Sequence, residues 1–355
     1  MKIAVGMSGG VDSSVAAYLL KKQGHDIVGT IMTIWDKKNP GINASKGNAC
    51  YGPDEDEDVA DAQKVCDFLK IPLHIIDCSQ QYNETVLSYF NEEYCAGRTP
   101  NPCVMCNQNM KFGILPSLLA DSGINFDKFA TGHYCRVIHD APSKRYLLKT
   151  GVYTKKDQSY FLYKLTQKQL SRAIFPLGTL TKKEVRDIAV RAKLPVHAKE
   201  ESQDFYSGDY NELLSPKTGE GNFVDLDGTI LGEHKGIWNY TIGQRKGLGV
   251  SHCKPLYVIK INAEKNEIVL GENDSLLRKK LKAKQCNYIS LDKPERVLVK
   301  IRSNTQAVPC SVTYGDDSFS IIFDQAQRAV TPGQSAVLYA DDIVIGGGFI
   351  SKDTV

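Results

Sequence analysis

Two cysteines, Cys103 and Cys106, stand three residues apart in the stretch RTPNPCVMCNQNMKFG at residues 98–113. A C-x-x-C pair can ligate a metal, cycle between dithiol and disulfide, or supply one reacting sulfur with a second thiol beside it. The two prolines that come before the pair predict a turn at this point of the chain. The spacing alone leaves these three kinds of chemistry open.

A glycine-rich stretch, AVGMSGGVDSS, is the second group of residues that could do chemistry. An apolar strand pattern leads into Gly9 and Gly10, and a helix pattern begins near Asp12. Glycines let the backbone close around an anion, and the N–H groups and dipole of a helix N-terminus attract it. Ser8 and Ser13 add hydroxyl donors, and Asp12 can hold a divalent cation against phosphates. The stretch therefore predicts a phosphate site, but it lacks the Lys-Ser/Thr ending of a Walker A loop.

The elements that must position these groups alternate in type over the first 135 residues. Strand patterns occur in KIAVGM, DIVGTIMTIW, PLHIIDC and FDKFATGHY, and helix patterns in VDSSVAAYLLKKQG, EDVADAQKVCDFLK, ETVLSYFNEEYCAG and KFGILPSLLADSG. This order predicts a parallel sheet covered by helices, with a ligand at the carboxyl ends of the strands. After residue 205 glycine-rich short strands dominate, and from residue 276 they alternate with turns as in an antiparallel barrel. We therefore expect an α/β protein with a catalytic domain at 1–205, a small central domain at 206–275 and a β-barrel at 276–355.

Composition and charge narrow the class of protein. The 355 residues are 42% hydrophobic and 24% charged, which is ordinary for a soluble globular protein. No apolar run is long enough for a membrane span and the N-terminus lacks the pattern of a signal peptide, so we expect a cytoplasmic protein. Residues 144–199 hold 14 Lys and Arg against 3 Asp and Glu, and residues 276–302 hold 9 against 2. These basic regions indicate a polyanionic partner. We expect Cys66 and Cys78 to be core residues.

The motif S-G-G-x-D-S resembles the signature of the PP-loop ATP pyrophosphatases, which adenylate a carbonyl oxygen and release pyrophosphate. Further blocks resemble the tRNA-specific 2-thiouridylases, namely GRTPNPCVMCNQNMKFG, FATGHYCRV, KKDQSYFLY, KEESQDF, NYTIGQRKGLG and TPGQSAVLY. They follow one another in family order over nearly the whole chain. The resemblance implies an ATP-dependent enzyme, acting as a monomer, that places sulfur on C2 of the wobble uridine of tRNA. It also implies a sulfur-donor protein, either a cysteine desulfurase or a relay.

The same resemblance implies site residues for ATP with Mg²⁺ and for tRNA. The residues implied for ATP are Gly6, Met7, Ser8, Gly9, Gly10, Val11, Asp12, Ser13, Met32 and Gly132. Those implied for tRNA are Asn101, Pro102, Cys103, His133, Lys156, Asp157, Gln158, Arg302, Ser303 and Gln334. Catalysis would rest on Cys106, Cys103 and Asp12.

The sequence departs from the family pattern at the reacting sulfurs. Cys106 occupies the position of the first family cysteine, Cys103 replaces an aspartate, and Tyr206 stands where the second cysteine is expected. In one hypothesis, Cys103 takes over from the missing cysteine and resolves a persulfide on Cys106. In the other, Cys103 and Cys106 hold a 4Fe–4S cluster with Cys135, or failing that Cys50, as the third ligand. A structural zinc site is a further alternative.

Two other functions remain open from the sequence. The chain could be a catalytically silent tRNA-binding or redox protein that kept the fold, although Asp12 and Ser13 have no use without ATP. It could also be an ATP-dependent amidating synthetase, although a glutaminase-like cysteine–histidine arrangement is not recognisable.

Overall fold

The computed structural model describes residues 1–36, 49–200, 204–215 and 219–354. Residues 201–203, in the middle of the block KEESQDF, therefore lie outside the described part of the chain. Within the described ranges, no helix has both the length and the apolar character that crossing a membrane requires.

The strands follow one another along the whole chain. In chain order they are β1 (Lys2–Gly6), β2 (Asp26–Thr33), β3 (Ala49–Tyr51), β4 (Leu73–Asp77), β5 (Lys128–Ala130), β6 (Cys135–Asp140), β7 (Arg145–Thr150), β8 (Ala173–Ile174), β9 (Asp204–Tyr206), β10 (Gly221–Val224), β11 (Ile230–His234), β12 (Tyr257–Asn262), β13 (Glu267–Gly271), β14 (Leu277–Tyr288), β15 (Arg296–Lys300), β16 (Val308–Tyr314), β17 (Ser318–Arg328), β18 (Ser335–Ala340) and β19 (Ile343–Ile350).

In the described part of the chain, the α-helices lie between residues 11 and 191. They are α1 (Val11–Lys22), α2 (Glu55–Leu69), α3 (Ser79–Tyr82), α4 (Ser88–Cys95), α5 (Pro102–Met105), α6 (Leu115–Asp121), α7 (Gln167–Arg172) and α8 (Lys182–Arg191). Two π-helical segments, Asn83–Leu87 and Cys106–Ile114, join α3 to α4 and α5 to α6. Short 3₁₀ turns cover Thr154–Lys156, Ser159–Phe161, Tyr210–Leu213, Ile237–Asn239, Asn273–Leu276 and Lys352–Thr354.

A parallel sheet in the order β4-β2-β1-β5-β8 forms the N-terminal domain and confirms the expected α/β class. Its central strand β1 is an apolar run, and Ile3, Ala4 and Val5 are fully buried as expected for a strand covered on both faces. Cys66 and Cys78 are also fully buried, so the prediction that they are core residues is confirmed. The carboxyl ends of β1, β2 and β5 meet at one edge of this sheet.

The segment that carries the C-x-x-C pair is helical, so the predicted turn was wrong. Asn101 precedes the helix and Pro102 is its first residue. Proline suits that position because its φ angle is already helical and the first N–H group of a helix has no intrahelical partner. The prolines therefore start a helix that continues through the cysteines to Asp121.

The C-terminal half consists of two β domains. The small central domain is a sheet in the order β11-β10-β13-β12, with a core that includes Phe223, Val258 and Ile268. The last domain is an antiparallel barrel in the order β14-β17-β16-β15-β18-β19, closed by the pairing of β14 with β19. This confirms the predicted barrel.

The hairpin β6–β7 extends the barrel sheet although it belongs to the N-terminal half of the chain. Lys149 pairs with Ile343 of β19, and Asp342 accepts ion pairs from Arg136 at 2.8 Å and from Lys149 at 2.9 Å. The hairpin therefore ties the barrel to the parallel sheet, which fixes the barrel next to the site described below.

Candidate active site

The turn between β1 and α1 forms a loop of backbone N–H groups. The Ser8 N–H group donates to Ser13 Oγ at 3.1 Å, and Ser13 Oγ in turn donates to the Gly10 carbonyl oxygen at 3.2 Å. Ser14 Oγ donates to the same carbonyl at 2.7 Å. Among the described residues no side chain caps α1, so the positive end of its dipole faces the cavity beside Ser8. The loop has the form of an anion site.

Two glycines allow the chain to pass close to this loop. Gly9 has φ of +67°, and a methyl group there would lie 2.4 Å from the carbonyl oxygen of Asp58. A methyl group at Gly132, just after β5, would lie 2.8 Å from the Ser13 nitrogen. Both positions require glycine because backbone approaches backbone there.

Asp12 points into the site, where other side chains already contact it. Lys182 Nζ lies 2.8 and 2.9 Å from its two carboxylate oxygens, and Tyr134 Oη donates to it at 2.9 Å. The carboxylate of Asp12 is thus bound by an ammonium group, and its expected role in holding a divalent cation stays a prediction. Sequence patterns missed Lys182 and Tyr134 because both come from distant parts of the chain.

The two cysteines of the C-x-x-C pair differ in exposure. Cys103 is exposed, whereas Cys106 is only 9% exposed. Burial raises the pKa of Cys106 to about 11, and the positive charge of Lys111 acts in the opposite direction. Burial alone would lower the pKa of Lys111, but the cysteines, Cys106 first, raise it above its ordinary value. Cys106 therefore has a cation at hand that stabilises its thiolate.

Lys111 was missed by the sequence analysis. It follows Cys106 by five residues, a spacing that would turn the two side chains apart on an α-helix. The segment Cys106–Ile114 is π-helical, with hydrogen bonds from residue i to i+5, so five residues make roughly one turn. The π-helical form therefore brings the ammonium group to the face that carries the thiol.

His133 is a neutral hydrogen-bonding group of the same site. Its Nδ1 lies 2.7 Å from Thr131 Oγ1, and its ring packs against Phe112 and Phe175. Burial, followed by the charge of Lys111, lowers its pKa to about 3. The imidazole thus carries no charge at neutral pH.

One cavity joins the anion loop to the cysteines. The predicted ATP residues that line it are Gly6, Met7, Ser8, Asp12, Ser13, Met32 and Gly132, while Gly9, Gly10 and Val11 form the loop itself. The predicted residues at its other end are Pro102, Cys103, Cys106, His133 and Gln158. Cys50 and Lys111 line that end as well. The loop between β1 and α1 and the two cysteines therefore line a common space.

Two of the residues expected to contact tRNA make hydrogen bonds within the protein, and their contact with tRNA stays a prediction. Asp157 accepts hydrogen bonds from the Gly151 N–H group at 2.9 Å and the Ser159 hydroxyl at 2.8 Å. Arg302 donates to the Ala329 carbonyl oxygen at 3.0 Å and to Thr331 Oγ1 at 2.8 Å.

Gln334 joins the barrel to the segment that leads into the C-x-x-C pair. Its Nε2 donates to the carbonyl oxygens of Thr99 at 3.3 Å and Pro100 at 2.9 Å. The next residue, Asn101, is buried, and its N–H group donates to Tyr89 Oη at 3.1 Å. These hydrogen bonds hold the segment that leads into the helix of Cys103, and the contact of Gln334 and Asn101 with tRNA stays a prediction. Lys156 and Ser303 are exposed, as nucleic-acid contacts would be.

The arrangement does not fit an iron–sulfur cluster held by Cys103, Cys106 and Cys135. Cys135 begins β6 and is fully buried, and burial raises its pKa well above the ordinary value. It is not among the described residues that line the cavity. Across the described ranges, no three His, Cys, Asp or Glu side chains are grouped to hold a metal ion.

Comparisons with known proteins agree with this architecture. Family models match residues 1–206 (tRNA methyl transferase HUP domain), 211–272 (tRNA methyl transferase PRC-barrel domain) and 278–350 (aminomethyltransferase beta-barrel domain). The tRNA-specific 2-thiouridylase MnmA of Endomicrobium trichonymphae is 48% identical, and that of Clostridioides difficile 44% identical. The match covers 99% of this chain in both cases, and 99% and 98% of the two relatives. The chain belongs to the MnmA family of tRNA-specific 2-thiouridylases.

Proposed function

We propose that this protein catalyses the ATP-dependent 2-thiolation of the wobble uridine of tRNA, with AMP and pyrophosphate as the other products. The observation that carries the proposal is that the anion loop and the Cys103–Cys106 pair line one and the same cavity. A reaction that both activates an oxygen and replaces it with sulfur needs the two groups around one base.

The anion loop supports the activation step. Ser8, Ser13 and the N-terminus of α1 would hold the phosphates of ATP while uracil O2 attacks the α-phosphorus and pyrophosphate leaves. Mg²⁺ fits this end because it commonly needs only one or two carboxylates together with substrate phosphates. Asp12 would hold it in exchange for Lys182, and the ion would neutralise phosphate charge.

Cys106 is the group best placed to deliver sulfur. Its thiolate attacks the terminal sulfur of a persulfide on a donor protein, and the donor cysteine leaves as a thiolate. The resulting Cys106 persulfide attacks uracil C2, and the C2–O bond breaks as AMP departs with the electron pair. Lys111 stabilises the anionic sulfur in a site that is otherwise unfavourable for charge.

Basic side chains on two surfaces support tRNA binding. On β14, the side chains of Lys279, Lys280, Lys282 and Lys284 are exposed, and the 3₁₀ turn at Thr154–Lys156 presents further lysines. Such groups contact phosphates and position a nucleic acid without reading its sequence. They would seat the tRNA body while its wobble base enters the cavity.

The descriptions of the family models that match residues 1–206 and 211–272 name a tRNA methyl transferase, so methyl transfer is a second candidate reaction. Thiolation is favoured because the anion loop and the thiols line the same cavity. The relatives named above are also thiouridylases. The test supplies the purified protein and unmodified tRNA with ATP, Mg²⁺, cysteine and a cysteine desulfurase. A parallel reaction contains S-adenosylmethionine in place of the sulfur source.

Mass spectrometry of the digested tRNA should find 2-thiouridine only in the first reaction, and Cys106→Ala should abolish it. Methylated uridine in the second reaction would contradict the proposal. ATP–pyrophosphate exchange that depends on tRNA separates an adenylating enzyme from a silent tRNA-binding or redox protein. Glutamine- or ammonia-dependent amidation of a carbonyl would instead indicate an amidating synthetase.

A further inference from the structure

A third thiol, Cys50, faces the cavity that Cys103 and Cys106 line. It is exposed and lies on β3, far in sequence from the C-x-x-C pair. A thiolate at Cys50 raises the pKa of Cys106 through its negative charge, as expected for two sulfurs that share one space. Cys50 also contributes to the raised pKa of Lys111. Three cysteines and one lysine therefore line the same cavity.

Strand pairing fixes where Cys50 stands. Strand β3 pairs in parallel with β9, and Tyr51 lies opposite Tyr206 in the register. Tyr51 is only 1% exposed and stacks on Tyr82, at a centroid distance of 5.5 Å, and on Phe205, at 6.3 Å. This buried aromatic contact anchors β3. Since neighbouring residues of a strand point to opposite faces, burying Tyr51 turns Cys50 toward the cavity.

The same pairing places Cys50 next to the position at which the family pattern leads one to expect a second cysteine. Tyr206 fills that position and its hydroxyl is bound to Glu212, away from sulfur chemistry. Burial raises the pKa of the Tyr206 hydroxyl, and the hydrogen bond to Glu212 raises it further. Strand β3 thus brings a thiol to the cavity beside Phe205 of β9, whereas Tyr206, in register with Tyr51, does not line this cavity.

Cys103 and Cys50 stand in different backbone relationships to Cys106. Both belong to one continuous helical segment, where residues three apart have Cβ atoms about 5–6 Å from each other. A disulfide needs Cβ atoms about 3.8 Å apart, so this pair would close through a local adjustment of the first helical turn, as C-x-x-C pairs can. Cys50 approaches from a separate strand and is not bound by that spacing.

We propose that Cys50 is the resolving thiol that completes sulfur transfer from Cys106. The inference rests on the proposed thiolation. After the persulfide has displaced AMP, uracil C2 is joined to Cys106 through two sulfurs. The Cys50 thiolate attacks Cys106 Sγ, the S–S bond breaks, and its electron pair stays on the outer sulfur as the thiocarbonyl. A Cys50–Cys106 disulfide forms, and a dithiol reductant reopens it before the next turnover.

The test uses the full-length protein loaded with persulfide by a cysteine desulfurase, which is then removed. Loaded protein is mixed with tRNA, ATP and Mg²⁺ without reductant, quenched with an alkylating agent, and analysed for 2-thiouridine and for linked cysteine peptides. The wild type should give a Cys50–Cys106 disulfide in amounts equal to the 2-thiouridine. Cys50→Ser should lower the 2-thiouridine yield at least about tenfold, and dithiothreitol should restore it by cleaving the same bond.

Cys253→Ser is the matched control, because Cys253 is exposed on the central domain, and it should behave as the wild type does. Retained tRNA-dependent ATP–pyrophosphate exchange shows that Cys50→Ser is folded. A full 2-thiouridine yield in Cys50→Ser without reductant, or a wild-type disulfide joining Cys103 to Cys106, would overturn the inference. So would an anaerobically purified protein whose bound iron disappears in Cys50→Ser. If the wild type makes no 2-thiouridine at all, the proposed function fails instead.

Discussion

Lys111 lies about one π-helical turn beyond Cys106 and opposes the effect of burial on its thiol. The low polarity of the cavity raises the pKa of Cys106 to about 11, and the ammonium group limits this rise. The π-helical stretch brings the two side chains toward one face, whereas an α-helix would turn them apart.

Replacing Lys111 should therefore make Cys106 less reactive. In Lys111→Gln the pKa of Cys106 rises, and each unit of rise lowers the thiolate fraction at pH 8 about tenfold. Alkylation of Cys106 by iodoacetamide, followed by peptide mass spectrometry, should slow by about that factor. Lys265→Gln, a change at an exposed site of the central domain, is the control. Equal alkylation rates in Lys111→Gln and wild type would show that the ammonium does not act on the sulfur.

Gly9 and Gly24 allow a test of the anion loop in which backbone strain is held constant. Both have positive φ, at +67° and +83°, but a methyl group meets the Asp58 backbone only at Gly9 and has nothing within 4 Å at Gly24. Each alanine substitution should cost about 1 kcal/mol of stability from φ alone. Gly9→Ala should also reduce ATP–pyrophosphate exchange by at least about a hundredfold, since the loop must shift to accommodate the methyl group. Comparable exchange rates in the two variants would mean that crowding at the loop is unimportant.

Local patterns predicted the parallel sheet and the anion loop because both depend on neighbours in sequence. The apolar run before Gly9 and the helical spacing after Asp12 fix β1 and α1 with little help from the rest of the chain. The helix at Pro102 was missed because proline is common both in turns and at the first position of helices.

Contacts between distant segments were beyond the reach of such patterns. The pairing of β3 with β9, which sets Cys50 beside Tyr206, joins residues more than 150 positions apart. The ion pair of Asp12 with Lys182 and the extension of the barrel by β6–β7 are equally remote in sequence. The family resemblance selected Gln334 and His133, but it could not predict their hydrogen-bond partners. These are the Thr99 and Pro100 carbonyl oxygens for Gln334 and the Thr131 hydroxyl for His133.

His133 should make the protein less stable in acid. Its pKa is about 3 when folded and about 6.5 when unfolded, because burial disfavours the charged ring. Below pH 6.5 the unfolded state binds a proton that the folded state does not, so the free energy of unfolding falls as pH falls toward 3. The slope from this group approaches about 1.4 kcal/mol per pH unit. Urea unfolding between pH 7 and 4.5 should show it in the wild type and in the exposed-site control His252→Asn, and a weaker slope in His133→Asn. An unchanged slope in His133→Asn would assign the acid sensitivity to other groups.

Gln334 should act on catalysis through the segment that carries the cysteines. Its amide donates to two carbonyl oxygens, those of Thr99 and Pro100, immediately before the helix that holds Cys103. Gln334→Ala removes both hydrogen bonds and should lower stability by about 1–2 kcal/mol and 2-thiouridine formation about tenfold. Gln334→Glu should be worse than Gln334→Ala, because a carboxylate would face two carbonyl oxygens and has no hydrogen to donate. Gln325→Ala, an exposed change on β17, should leave both quantities unaltered. If Gln334→Ala lowered 2-thiouridine formation with no loss of stability, Gln334 would be acting on tRNA and not on the position of the cysteine helix.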